Sequence, residues 1–276
     1  MKLSNIKLVV CDIDGTLVTN DHVLTERTKA IIERLHSQNI LFGIASGRSI
    51  EQHLSKQASI WGLSFDFDII IGLNGAEMWD GINQKQHDYY KLKREWLKEI
   101  IELMAPLNLN PYVYVDGMSL YLKNDPAASA SALQYRSNYR IVDDVSELYE
   151  KETAKILFRM SEERMAEVEP YVKAHSSEHY KAFKTQKTVL EFSDRRVSKA
   201  VPLQDFCTIN NIDLSQVLSF GDMTNDNELL EASGIGVCLI NGGDDTKAIA
   251  DYITEKSNEE DGFADFLDKH FFDALI

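Results

Sequence analysis

Short apolar runs alternate with amphipathic stretches over the first part of the chain. The runs at residues 6–11, 40–45 and 68–73 are rich in Ile, Val and Leu, which is typical of buried strands. Between the first two runs, apolar side chains at positions 24, 31, 32 and 35 have helical spacing, with Thr25 as a candidate N-cap. A second helical stretch covers residues 50–60, between the second and third runs. This order predicts the Rossmann-like α/β class, a doubly wound and mainly parallel sheet with right-handed crossovers.

A different pattern occupies the middle of the chain, where shorter and more aromatic strands alternate with helices. We expect the following elements: a strand near residues 89–90, helices at 94–104, after Pro126 and at 162–174, and strands at 112–115, 120–122, 155–160 and 189–192. Asp116-Gly117 is a strong hairpin signal between two of these strands. The α/β pattern resumes with a helix from residue 201. The sequence therefore predicts a core domain of residues 1–82 and 192–276, with an inserted α+β cap domain of residues 83–191.

Composition narrows the class of protein. The 276 residues include 44% hydrophobic ones, and 44 Asp and Glu against 29 Lys and Arg give a net charge of −15, which argues against a surface for nucleic acid or an anionic membrane. No apolar run is long enough for a membrane span, no signal-peptide pattern precedes the first strand, and the three cysteines have no paired spacing. We expect a cytoplasmic protein that binds neither nucleic acid nor membrane. The sequence indicates no oligomeric state.

Polar residues follow the three apolar runs named above and a fourth predicted strand at residues 217–220, at the carboxyl end of each strand. These groups are Asp12 with Asp14, Ser46-Gly47-Arg48, Asn74-Gly75-Ala76 and residues 221–226. In open α/β sheets, ligands bind outside the carboxyl ends of strands, so these groups are candidate neighbours. Because side chains alternate along a strand, Asp12 and Asp14 would project the same way if the strand geometry persists that far. Their mutual repulsion then requires a metal ion, a cationic side chain or a shared proton.

The polar groups form a series of motifs in a set order. They are Asp-Ile-Asp-Gly-Thr-Leu at 12–17, Ser-Gly-Arg at 46–48, Asn-Gly-Ala at 74–76, Ser-Lys at 198–199 and Gly-Asp-Met-Thr-Asn-Asp at 221–226. This series resembles the haloacid dehalogenase (HAD) superfamily, in particular its Cof-like subfamily IIB of sugar-phosphate-type phosphatases. The chain departs from the family pattern at two places. Ala200 replaces a Gly, and Leu-Ile-Asn-Gly at residues 239–242 replaces Met-Gly-Asn-Ala. The second departure leaves the role of Asn241 open. The resemblance covers essentially the whole chain.

The residue types also fit phosphoryl transfer on chemical grounds. Hydrolysis of a phosphate monoester needs an in-line nucleophile, neutralisation of the phosphoryl oxygens and protonation of the leaving oxygen. Asp12 is the predicted nucleophile, because a carboxylate can attack phosphorus to give an acyl phosphate that water then opens. Asp14 is the predicted general acid and base, a role that the resemblance also implies. Asp222 is expected to complete a Mg²⁺ site with the Asp12 carboxylate and the main-chain carbonyl of Asp14.

The remaining polar residues are expected to bind the phosphoryl group or to support the site. Lys199, the Ser46 hydroxyl and main-chain N–H groups near Gly47 would bind the phosphoryl oxygens. Asn225 is expected at the phosphate or in the surroundings of the metal, and Asp226 is expected to orient Lys199 or a metal-bound water. The loop after the third strand supplies two further supporting residues, Asn74 and Gly75.

Other kinds of site do not fit the sequence. A serine-hydrolase elbow would need a Gly two residues before Ser46, and Gly43 stands one residue too early. A calcium loop that begins at Asp222 lacks the required Gly and the final Glu. P-loop and dinucleotide-binding motifs are absent. The seven histidines, His22 among them, show no ligand spacing and are expected to be structural.

We therefore predict a Mg²⁺-dependent phosphomonoester hydrolase that acts on a small phosphorylated metabolite, of sugar-phosphate type, through an aspartyl-phosphate intermediate. The resemblance implies that the cap closes over the cleft and selects the leaving group. A phosphosugar mutase on the same scaffold is the alternative enzyme. A non-catalytic phosphometabolite-binding protein is the alternative from another class, and such a protein would be expected to lose one of four residues that are all present: Asp12, Asp14, Lys199 and Asp222.

Overall fold

The computed structural model describes residues 5–126 and 138–272 and divides the chain into two compact units, Met1–Asp88 with Ser198–Ile276, and Tyr89–Val197. In chain order the strands are β1 Leu8–Asp12, β2 Leu41–Ala45, β3 Ile69–Gly72, β4 Glu77–Asp80, β5 Lys85–Asp88, β6 Pro111–Val115, β7 Met118–Tyr121, β8 Asn138–Ile141, β9 Lys155–Arg159, β10 Tyr180–Gln186, β11 Val189–Asp194, β12 Val217–Gly221, β13 Ile235–Cys238 and β14 Tyr252–Ile253. The described α-helices are α1 Glu26–Ser37, α2 Gln57–Ile60, α3 Arg94–Met104, α4 Glu162–Ala174, α5 Ala200–Ile209, α6 Asn227–Ala232, α7 Asp244–Ile249 and α8 Gly262–Leu267. Within the described residues, each helix falls short of the length and apolarity needed to cross a bilayer.

The first unit is built on an eight-stranded sheet in the order β14-β13-β12-β1-β2-β3-β4-β5. The six strands from β14 to β3 pair in parallel, and β4 and β5 add an antiparallel edge. β1 lies near the centre, between β12 and β2, and each of its residues is buried. The doubly wound, mainly parallel sheet predicted from the apolar runs is therefore confirmed.

Helices cover both faces of this sheet. Val9 and Cys11 of β1 belong to the apolar core that includes the buried sides of α1 and α8. The alternate residues Leu8 and Val10 are equally buried and point to the opposite face, where α5 contacts β3 and β4. Asp12 follows the same alternation, so its side chain lies on the face that carries α5.

The antiparallel edge of the first sheet differs from the sequence prediction. A strand was expected near residues 89–90, whereas β5 ends at Asp88 and pairs with β4 inside the first unit. The sequence of β5 is Lys-Gln-His-Asp, so it carries no apolar run that could reveal it. The second unit begins after this strand, at Tyr89, and ends at Val197, whereas the sequence placed the edges of the insertion at residues 83 and 191.

The second unit has its own sheet and its own core. Its six strands run in the order β10-β11-β9-β6-β7-β8, and all neighbours are antiparallel except β7 and β8. Buried side chains of α3 and α4 form one core with the alternate strand residues Val113, Ile156, Phe158, Leu190 and Phe192. β6 and β7 form the predicted hairpin across Asp116-Gly117. The helix expected after Pro126 lies outside the described residues.

The opposite face of the second sheet carries a buried ion pair. Lys155 on β9 and Glu191 on β11 lie 2.9 Å apart, Nζ to Oε2, and their side chains are 6% and 0% exposed. Lys155 also lies 5.9 Å from the ring centroid of Tyr114. Because the two charges are removed from water, the interaction between them replaces part of what solvent no longer supplies.

We predict that breaking this pair costs more stability than removing it. Glu191→Leu leaves the Lys155 ammonium buried without its carboxylate and is expected to lower the free energy of unfolding by about 3–5 kcal/mol. The matched double variant Lys155→Met with Glu191→Leu replaces both charges by apolar groups and is expected to stay within about 1–2 kcal/mol of the wild type. Urea unfolding followed by circular dichroism measures both. A single variant as stable as the double variant would contradict this prediction.

Candidate active site

Two acidic segments meet because β1 and β12 are parallel neighbours. Cys11 pairs with Phe220, so Asp12 at the end of β1 lies beside Asp222, the residue that follows β12. One carboxylate oxygen from each of Asp12, Asp222 and Asp226 lies within 4.8 Å of the other two, and all three residues are buried. The carboxyl ends of these strands therefore bring Asp12 together with two acids from a distant segment of the chain, Asp222 and Asp226.

Lys199 is the cation of this cluster. It stands immediately before α5, and its Nζ lies 2.5 Å from Asp12 Oδ1 and 2.5 Å from Asp226 Oδ1. Burial lowers the pKa of the Lys199 ammonium, but the carboxylates of Asp12 and Asp226 outweigh this effect and raise it above its ordinary value. The ammonium is therefore held in its charged form between the two acids. Ala200, which replaces the Gly of the family pattern, is the first residue of α5, and a helical position needs no glycine.

The loop after β12 is ordered by Asp226. The Oδ2 atom of Asp226 accepts hydrogen bonds from the main-chain N–H groups of Asp222, at 3.0 Å, and Met223, at 3.1 Å. Its other oxygen contacts Lys199, so one carboxylate joins the loop to the cation. This position agrees with the expectation that Asp226 orients Lys199.

Asp12 and Asp222 carry more negative charge than Lys199 balances. Burial raises the pKa of Asp12 well above its ordinary value, against the opposing effect of Lys199. Burial, with the charge of Asp226, raises the pKa of Asp222 to about 7. Three buried carboxylates around one ammonium are a set of hard oxygen donors in need of a further cation, so the cluster could bind a metal ion.

Asp14 has different partners from Asp12. β1 ends at Asp12, and Leu17 and Val18 donate their main-chain N–H groups to the carbonyl of Ile13, so the chain turns and strand alternation does not extend to Asp14. The Asp14 Oδ1 atom instead accepts hydrogen bonds from His22 Nδ1, at 2.9 Å, and from Arg48 Nη2. Strand alternation, the condition under which both acids would project the same way, therefore does not extend to Asp14.

The surroundings of Asp14 also shift its pKa in the opposite direction. Burial raises the pKa of Asp14, but the hydrogen bond from His22 and the charge and hydrogen bond of Arg48 outweigh this effect and lower it below its ordinary value. Sequence reasoning treated His22 as structural and gave Arg48 no role of its own. Metal-ligand spacing does not identify His22, because His22 contacts the Asp14 carboxylate directly.

The Gly15 turn packs against the acidic cluster. Gly15 has φ +87°, and a Cβ at this position would clash with the carboxylate of Asp222. Thr16 Oγ1 donates a hydrogen bond of 3.0 Å to Asp222 Oδ1, and Asn241 Nδ2 donates one of 2.8 Å to the Gly15 carbonyl. Asn241, whose role the sequence left open, therefore holds the turn that follows Asp12.

The other predicted site residues form a second group, around Asn74. Asn74 has φ +57°; its Oδ1 accepts a hydrogen bond of 3.1 Å from Asn225 Nδ2, and its main-chain N–H donates one of 3.0 Å to the Ser46 carbonyl. A Cβ on Gly47 would come within 3.3 Å of Asn74 Nδ2. A Cβ on Gly75, at φ +104°, would clash with the main chain of Ser198. This close approach brings the loop after β3 beside the residue that precedes Lys199.

Ser46 directly follows β2, beside the end of β1. Asp12 pairs with Ala45 in the sheet, and Ser46 is 2% exposed. Its Oγ accepts a hydrogen bond of 3.2 Å from the main-chain N–H of Arg48, and this bond leaves the hydroxyl hydrogen available for donation. Sheet register thus places Ser46 and Asp12 on adjacent strand ends.

Comparison with known proteins agrees with this arrangement. The sequence model of the haloacid dehalogenase-like hydrolase family matches residues 9–267. The chain is 25% identical to the 5-amino-6-(5-phospho-D-ribitylamino)uracil phosphatase YitU of Bacillus subtilis, over 96% of this chain and 97% of that protein. The crystal structure of TM0651 from Thermotoga maritima has a TM-score of 0.78 at 26% identity, over 96% of this chain and 97% of that one.

A further structure shares the fold. The HAD subclass IIB sugar phosphatase BT4131 has a TM-score of 0.80 at 22% identity, over 96% of this chain and 99% of that one. The family match covers both units, and the relatives are matched over nearly their full length. The predicted resemblance is therefore confirmed. The chain belongs to the haloacid dehalogenase-like hydrolases and is a phosphatase of that family, which acts on a small phosphorylated substrate.

Proposed function

We propose that this phosphatase is a Mg²⁺-dependent phosphomonoester hydrolase that forms an aspartyl-phosphate intermediate and acts on metabolites of the sugar-phosphate type. The observation that carries the proposal is the separation of two acids: Asp12 contacts Lys199 in a buried acidic cluster, whereas Asp14 stands apart with its own donors. The names of two similar proteins support the substrate type, because YitU is named for a phosphorylated ribityl compound and BT4131 as a sugar phosphatase.

Asp12 is the nucleophile of the proposed first step. A carboxylate oxygen of Asp12 forms a bond to phosphorus while the bond between phosphorus and the leaving oxygen breaks. Asp14, in its protonated form, donates its proton to that leaving oxygen, which departs as an alcohol and leaves Asp14 as a carboxylate. In the second step a water attacks phosphorus, Asp14 accepts its proton, and the bond from phosphorus to Asp12 breaks to release phosphate. One carboxylate thus bonds to phosphorus and the other moves the proton.

Cationic and amide groups hold the phosphoryl oxygens during both steps. Lys199 supplies a positive charge beside the attacking carboxylate, since its Nζ already contacts Asp12. The Ser46 hydroxyl, the main-chain N–H of Gly47 and the Asn225 amide are the proposed donors to the remaining oxygens. Three residues support them: Asp226 holds Lys199, Asn74 holds Asn225, and Gly75 permits the close approach to Ser198.

The acidic cluster is the proposed magnesium site. Asp12, Asp222 and the main-chain carbonyl of Asp14 would hold Mg²⁺, which takes few carboxylates and keeps several waters. The bound ion would supply positive charge that lets the Asp12 carboxylate approach a phosphate dianion. The Oδ1 atom of Asp14 is engaged by His22 and Arg48, and the main-chain carbonyl of Asp14 is the group that we propose for the metal.

We predict that loss of the nucleophile abolishes turnover. The wild type should release free phosphate from p-nitrophenyl phosphate and from members of a sugar-phosphate panel, whereas Asp12→Asn should lower kcat/KM by at least about 10³-fold, since an amide cannot form the acyl phosphate. Asp66→Asn, the same substitution at an exposed acid of the same unit, should retain wild-type rates. Turnover by Asp12→Asn, or isomerised phosphosugar in place of free phosphate, would contradict the proposal.

Removal of divalent metal should stop the reaction reversibly. We expect EDTA to abolish phosphate release and an excess of Mg²⁺ to restore it, while Ca²⁺ should restore little because it prefers more ligands and longer bonds. Isothermal titration of the EDTA-treated protein with Mg²⁺ provides a second measurement that does not depend on turnover. Full activity in EDTA would rule out the metal requirement.

The metal-free protein should lose stability as pH rises, because of Asp222. The pKa of Asp222 is raised from 3.8 to about 7 in the folded protein. Between about pH 4 and pH 7 the folded state therefore binds a proton that the unfolded state has lost, and the free energy of unfolding falls as pH rises through this range. Asp222→Asn removes this group, so in EDTA it should gain about 1–3 kcal/mol on the wild type between pH 5 and pH 8. Thermal unfolding across this pH range measures the stability difference between Asp222→Asn and the wild type. Added Mg²⁺ should reverse the order of the two proteins, because it stabilises the wild type alone. A difference independent of pH would contradict the assignment.

A further inference from the structure

The Asp14 carboxylate is held through one of its two oxygens. His22 Nδ1 and Arg48 Nη2 both donate to Oδ1, and among the described residues no hydrogen bond reaches Oδ2. Oδ1 accepts the hydrogen bond from Arg48 and carries no proton of its own, so Nδ1 of His22 carries the hydrogen in this contact. The side chain of Asp14 is 41% exposed, so Oδ2 is open to a substrate while Oδ1 is engaged.

Hydrogen bonds within the turn and to the C-terminal part of the chain hold the segment that carries His22. The His22 main-chain N–H donates to the Thr19 carbonyl at 2.8 Å, and the Thr19 N–H donates to the Val23 carbonyl at 3.0 Å. Asn258 Nδ2 donates to the Val18 carbonyl at 2.9 Å, which joins this turn to the C-terminal part of the chain. His22 itself has φ +59°, an uncommon value for a residue other than glycine. The backbone thus holds an unfavourable conformation in which the ring reaches Asp14.

We propose that His22 is a positioning residue for proton transfer by Asp14. A single hydrogen bond from Arg48 would let the carboxylate rotate about its terminal bond, whereas two donors from separate segments hold its plane. With Oδ1 accepting both hydrogen bonds, Oδ2 carries the proton of the neutral acid and delivers it to the leaving oxygen as the bond from that oxygen to phosphorus breaks. The carboxylate that remains later accepts the proton of the attacking water on Oδ2, which restores the neutral acid. This inference rests on the proposed function, in which Asp14 is the general acid and base.

Two substitutions at His22 separate the hydrogen bond from the backbone conformation. Glycine adopts a positive φ without strain and removes the donor, so His22→Gly tests the contact alone. Asparagine also tolerates this region, and its amide nitrogen is attached to Cγ as Nδ1 of histidine is. His22→Asn is therefore the matched variant that keeps both the backbone and a donor near the same position.

The test compares a substrate that needs the proton with one that does not. The leaving group of β-glycerophosphate is an alkoxide, which departs only when protonated, whereas p-nitrophenolate departs without a proton. General acid catalysis contributes about 10²–10⁴-fold, so His22→Gly is expected to lower kcat/KM for β-glycerophosphate by about tenfold or more and to leave that for p-nitrophenyl phosphate within about threefold. His22→Asn should restore most of the loss.

The ratio of the two kcat/KM values is the deciding quantity. Both are measured on one preparation with bound Mg²⁺, so an unfolded fraction lowers both values equally and leaves the ratio unchanged. An unchanged ratio in His22→Gly, or a His22→Asn ratio no better than that of His22→Gly, would overturn the inference. If the proposed function itself is wrong, the result is different: Asp12→Asn retains turnover.

Discussion

The site depends on one buried ammonium held between two carboxylates. Lys199 Nζ lies 2.5 Å from both Asp12 and Asp226, and the lysine is fully buried. A buried charge is costly unless it is paired, so each of these groups is tolerated in the interior only because the others are present. The three residues come from the end of β1, the start of α5 and the loop after β12. Correct assembly of the sheet is therefore a condition for neutralising the cluster.

Two acids only two residues apart acquire opposite properties from this assembly. Asp12 lies in a buried cluster of like charges that raises its pKa, whereas His22 and Arg48 lower the pKa of Asp14. The division follows from the end of β1 and from the Gly15 turn, which together send the two side chains into different surroundings.

Hydrophobic periodicity was sufficient for the elements whose side chains fill a core, and it failed for those that do not. The strands β1, β2 and β3 and helix α1 were predicted because burial requires apolar residues at a regular spacing. β5 and β8 carry mostly polar or exposed residues, and β10 is only partly buried, so no such spacing marks them. Their strand conformation comes from hydrogen bonds to a neighbouring strand, which is a property of the assembled sheet.

The amino-acid sequence by itself determined the α/β class, the family and the residue types at the strand ends, because these follow from local periodicity and contiguous motifs. Only the tertiary structure decided which of these residues touch. Lys199 and Asp12 are 187 positions apart, Asn241 reaches Gly15 across the fold, and His22 meets Asp14 only because a turn with positive φ directs it there. Contacts of this kind depend on the path of the backbone in three dimensions, and no local pattern of residues encodes that path.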